Sequence, residues 1–137
     1  MLHKVLLYCT YPIPEAKLSS LLDTFNASPY CPQPDNIIPS APADATHGMT
    51  PAEIYTHHWS KIPETAGISG DPVVVLDEQT LKDDTVVVVS QVEDNTPLML
   101  RFVPDQAPLA VSNLQIGNQD LTTVRTISCS RRVLLIP

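Results

Sequence analysis

Two runs of β-branched residues constrain this chain more than any other feature: PVVVLD at Pro72–Asp77 and TVVVVSQV at Thr85–Val92. Neither alternates with polar residues, so both read as buried strands, joined by a short polar or helical turn over Glu78–Asp84. KVLLYC at Lys4–Cys9 is also apolar on both faces, which suits a central strand better than an edge. Glu93–Pro97 is a turn signal, and Leu98–Val103 returns as a strand with Leu98, Leu100 and Phe102 on one face and Met99, Arg101 and Val103 on the other. Thr85–Val103 is therefore expected to be an antiparallel hairpin.

Helices are legible between these strands. After Pro12 and Pro14, the apolar residues Leu18, Leu21, Leu22 and Phe25 recur with helical spacing and lay one stripe against the sheet. Thr50, Pro51 and Glu53 form an N-cap, a proline at the first helical position and a carboxylate three residues on, a capping box that opens a helix over Pro51–Lys61. Spacing places Tyr55, His58, Trp59 and Ile62 together on that helix, and pairs Glu53 with His57 at i, i+4. Residues 27–50 carry Pro29, Pro32, Pro34, Pro39 and Pro42 without periodicity, so neither a helix nor a central strand runs through them. Structureless connections beyond about 12 to 15 residues tend to be lids or binding loops, and this one is expected to be a flap. Asn113–Asn118 reads as a further strand, Gln119–Arg125 as a helical turn, and Arg131–Ile136 as a closing strand.

The sum is an α/β or α+β fold: one mixed sheet of about five strands, with two to three helices packed mainly on one face. At 137 residues the chain fits a single domain over 1–137 that buries roughly two thirds of its unfolded surface without needing staples. The balance of 15 acidic against 8 basic residues repels phosphate backbones and anionic lipid, which disfavours nucleic acid and membrane as partners. Arg131 and Arg132 are too few for a polybasic patch. Cys9, Cys31 and Cys129 are an odd, widely spaced set with no CxxC, against a secreted disulfide framework. No run approaches the ~18 apolar residues of a membrane span and the N-terminus lacks a signal-peptide core, so a cytoplasmic location is expected.

VVVLDEQTLKDDTVVVV at Val73–Val89, LRFVP at Leu100–Pro104 and SNLQIGNQDL at Ser112–Leu121 resemble the microbial domain-of-unknown-function 6924 family. There an Asp and a Thr-Leu pair precede a strand, an Arg-Phe pair leads into a proline, and an Asn-Leu element ends in a small residue and Asn, here Gly117 and Asn118. The likeness covers the C-terminal half with the opening strand and helix, and lapses over the proline-rich middle and over Arg131–Pro137. It implies a shared fold and lends weight to Asp77, Arg101, Pro104, Asn113 and Asn118. It brings no activity with it.

The densest reactive cluster is Glu53, Tyr55, His57, His58 and Trp59. A carboxylate one turn from an imidazole can set its tautomer, so Glu53 with His57 suits a general base, unless the cap occupies Glu53. Tyr55 and Trp59 pack into a core or wall a pocket. Adjacent histidines point to different sides of a helix, and His3 and His47 are remote in sequence, so no metal is expected. Arg101 lies among apolar neighbours and must meet an anion, either Asp77 as a structural partner or a ligand carboxylate. There is no GxSxG, GxGxxG or P-loop, and only 4 glycines to cradle phosphate, so no cofactor is expected.

These residues fit a small-molecule-binding domain, in its sharper form a cofactor-independent isomerase, lyase or cyclase moving a proton in a shaped apolar pocket. His57, His58, Glu53 and Asp77 are the catalytic candidates; Tyr55, Trp59, Arg101 and Asn118 the binding ones, for an apolar or weakly acidic molecule, with a homodimer compatible. The alternative is a non-catalytic interaction module whose acidic charge steers a basic partner.

Overall fold

The computed structural model describes residues 4–31, 35–40, 43–61, 68, 72–91, 97–115 and 134–135. Their elements run β1 Val5–Cys9, α1 Glu15–Ala27, β2 Ile37–Pro39, α2 Pro51–Lys61, β3 Val73–Leu76, α3 Glu78–Asp83, β4 Val86–Gln91, β5 Pro97–Phe102, α4 Ala107–Gln115 and β6 Leu134–Leu135. Single turns of 3-10 helix occupy Ala43–Thr46 and Pro104–Gln106.

The strands form one mixed sheet in the order β2-β1-β3-β4-β5-β6. β1 pairs in parallel with both β2 and β3, while β3–β4, β4–β5 and β5–β6 are antiparallel. The hairpin expected over Thr85–Val103 is the β4–β5 pair. The Glu78–Asp83 turn is a helix because Asp77 caps it: its side chain accepts from the Thr80 amide while Thr80 Oγ1 accepts from the Asp77 amide.

Alternation along the strands builds two cores. Val5, Leu7 and Cys9, with Val74, Leu76, Val86, Val88, Leu100 and Phe102, meet Leu21 and Phe25 of α1 and Ala107, Ala110 and Val111 of α4. On the opposite face Leu6, Tyr8, Val73, Val75, Val87 and Val89 meet Ile54 and Tyr55 of α2. Helices thus cover the sheet two to one, and the unbroken valine runs follow from that double cover.

Two readings change. Asn113–Gln115 belongs to α4 rather than to a strand, because Ala107, Ala110 and Val111 form a helical stripe that binds the segment to the first core. The proline-rich segment contains the short strand β2, tolerated because it is an edge strand and Pro39 is its last residue. Gln119–Arg125, Asn118, Ile62 and His3 lie outside the described residues, as does most of Arg131–Ile136, of which Leu134 and Leu135 pair with β5. Among the described residues no helix is long and apolar enough to cross a membrane.

Candidate functional site

The capping box that opens α2 is present. The Thr50 amide donates to Glu53 Oε1 at 2.9 Å and the Glu53 amide donates to Thr50 Oγ1 at 3.1 Å. Glu53 is therefore occupied at the helix start, and no hydrogen bond or ion pair joins it to His57.

Helical spacing sends the aromatic and imidazole groups apart. Tyr55 and His58 are buried, His58 completely, His57 is half-buried, and Trp59 is 45% exposed. Trp59 still meets the edge of Tyr55, with centroids 6.2 Å apart, but its body faces outward rather than joining Tyr55 and His58 on the core side.

Beneath α2 stands a residue that sequence reasoning did not select. Tyr8 of β1 is fully buried, and its Oη shares a hydrogen bond of 2.6 Å with His58 Nδ1. The rings of His57 and His58 both meet the Tyr8 ring edge-on, at 6.0 and 5.5 Å. Burial pushes the Tyr8 hydroxyl up to about 12, so it remains a neutral hydrogen-bonding group at ordinary pH. The only sequence signal for Tyr8 was a polar atom within an apolar strand, which needs a partner when buried.

A second polar cluster closes the other end of the same row. The register aligns Tyr8, Val75, Val87 and Arg101 across β1, β3, β4 and β5, three interstrand steps or roughly 14 Å at normal strand spacing. Arg101 Nη1 donates to Asp77 Oδ1 and to Thr85 Oγ1, each at 3.1 Å, and its Nη2 meets Asp77 Oδ2. Burial works to raise the Asp77 carboxyl, but Arg101 and the Thr80 donors outweigh it and hold the group below its ordinary value. Asp83 is held low in the same way, by Thr85 and Gln79 against desolvation. Arg101 with Asp77 is thus the structural pair expected as one of two alternatives. The donors that bind Asp77 and Thr85 are not turned toward a ligand.

A polar edge lies at the carboxyl ends of the parallel strands. α1 leaves β1 on the first face, and α2 returns from β2 to β3 on the second, so the winding reverses between β1 and β3. In open sheets of this kind the crevice outside such a reversal is the usual ligand position. Here the Thr10 amide donates to the Leu76 carbonyl at 2.9 Å, and residues 43–49 cross the end of β1, with Thr46 Oγ1 donating to the Cys9 carbonyl at 2.6 Å and the Gly48 amide to the Thr10 carbonyl at 2.8 Å. Tyr11 is 40% exposed beside them, and the Asp77 side chain keeps 24% of its surface. Exposed carboxylates crowd the segments leaving this edge: Asp44, Glu53, Glu78, Asp83 and Asp84. Cys9 is buried and its thiol is pushed up by desolvation, which suits packing rather than nucleophilic attack. Among the described residues no group of three or more His, Cys, Asp or Glu side chains is placed to hold a metal ion.

Fold and site together define an α+β domain with a doubly covered mixed sheet and a polar carboxyl edge. The chain matches no family model, no curated protein and no solved structure.

Proposed function

We propose that this chain is a small-molecule-binding domain whose ligand enters at the carboxyl ends of β1 and β3, between the Thr10–Ile13 turn, residues 46–49 and Asp77. One observation carries the reading: the reversal of winding falls between these two strands, where β1 leaves the sheet through Thr10 and Tyr11 and β3 through the helix cap Asp77, at the end of a valine-rich core. The surrounding carboxylates favour a neutral or cationic ligand of modest size over an acid, since Arg101 is engaged with Asp77 and Thr85.

Turnover is the narrower form of this reading and draws less support. A general acid or base must reach its substrate within hydrogen-bond distance, whereas His58 is closed off against Tyr8 and Glu53 is held in a cap. Binding without chemistry is the form that the geometry supports best. The interaction-module reading has one observation in its favour, the outward-facing Trp59.

Protein-observed amide NMR with benzyl alcohol, benzylamine and benzoate tests the proposal. Saturable shifts at residues 10–13, 46–49 and 77–78, stronger for the amine than for benzoate, are expected. Shifts gathered around Trp59, or no saturable shift with any of the three, would overturn it.

A further inference from the structure

Residues 43–49 lie across the end of β1 with few buried side chains. Asp44, Ala45, His47 and Gly48 are exposed and Met49 is half-buried against the second core, so Thr46, at 1% exposure, is the one fully buried side chain described in the segment. That side chain is a hydroxyl, and it reaches the end of β1 through the bond to the Cys9 carbonyl. The second tie is the Gly48 amide on the Thr10 carbonyl, made from a backbone at φ +85°, which glycine adopts without cost. The remaining bonds, His47 amide to Asp44 carbonyl and Met49 amide to Thr46 carbonyl, lie within the segment and travel with it.

Segments resist local opening mainly through the apolar surface they would expose. A hydroxyl–carbonyl bond exchanged for bonds to water contributes only about 1 kcal/mol net. The flanking structure is anchored far more firmly: Ile37 and Ile54, before and after the segment, belong to the two cores.

We infer that residues 43–49 are a strap that opens as a unit from the carboxyl end of β1 while the sheet stays folded, with Thr46 as its latch. That the opened strap admits the ligand rests on the binding reading above. The opening itself does not, and it is measured without ligand.

Native-state amide hydrogen exchange at increasing low denaturant is the test. The Gly48 amide should exchange through an opening insensitive to denaturant, with protection roughly 100-fold below that of Val75 and Val88 in the sheet centre. Thr46→Val keeps the shape and removes the donor; it should speed Gly48 exchange roughly fivefold to tenfold and leave Val75 unchanged. Thr46→Ser, which retains the hydroxyl, should restore the Gly48 rate and serves if the valine variant folds poorly. Gly48 exchanging with the denaturant dependence of Val75 would overturn the strap, as would Thr46→Val accelerating both amides equally. Loss of the strap would leave the fragment-shift result standing, and a failed fragment experiment would leave the exchange result standing.

Discussion

Tyr8 Oη and His58 Nδ1, 50 residues apart in the chain, share a buried hydrogen bond of 2.6 Å that fixes α2 to β1. Each removes the other's need for water, so deleting one leaves a buried polar atom unsatisfied. His58→Ala adds a cavity to that loss and should cost about 3 kcal/mol in urea unfolding. His57→Ala, at a half-buried position, should stay within about 1 kcal/mol of the parent. Equal losses in the two variants would show that the rings do not play these separate roles.

Asp77 and Arg101 join the end of β3 to β5, and the carboxyl is held below its ordinary value. A depressed carboxylate contributes stability that is fully present above the unfolded value near 3.9 and is lost as pH falls through the lower folded value. Unfolding free energy should therefore drop on acidification below about pH 4, with no pH dependence from this pair between pH 5 and 7, where its stabilisation is complete. Asp77→Asn should cost about 3 kcal/mol at pH 7, as expected for breaking a mostly buried pair, and should flatten the acid limb of the profile. An unchanged acid limb in the variant would assign the acid loss to other groups.

Trp59 is the chain's single tryptophan, so its environment can be read directly. Its 45% exposure predicts red-shifted emission and ready acrylamide quenching in the native state. Trp59→Ala should cost under about 1 kcal/mol, the worth of its edge contact with Tyr55. Blue-shifted, protected emission would place the ring in the core instead.

Asp84 closes α3 with φ 63°, a left-handed conformation that glycine holds with less strain. Its contact with Lys17 is partly exposed and contributes little. Asp84→Gly should therefore stabilise by up to about 1 kcal/mol, read as a raised urea midpoint. A lowered midpoint would mean that the Lys17 contact outweighs the backbone strain.

The sheet was legible because its residues obey one physical rule along their whole length. Val73–Leu76 and Val86–Val89 admit no solvent face, and Thr50–Pro51–Glu53 satisfies a helix start through its own side chains, so neither element depends on distant residues to be read. The pair Arg101–Asp77 was legible as one of two options, since a guanidinium among apolar neighbours has few tolerable partners. Asn113–Gln115 failed because its register is set by Ala107, Ala110 and Val111 packing on the first core, which local alternation does not report. Tyr8–His58 was hidden for the same kind of reason: hydrogen-bond partners 50 residues apart leave no spacing to read. Trp59 shows how a helix turn of 100° per residue divides neighbours, because one step beyond His58 already carries a side chain from the core to solvent.

A crystal of the chain soaked with benzylamine tests the proposed binding site most directly. Density for the amine at the sheet edge beside Thr10, Gly48 and Asp77, with its ammonium toward the edge carboxylates, is the predicted result. No density for the amine at that edge, with the amine seated instead against Trp59 or nowhere on the molecule, would contradict it.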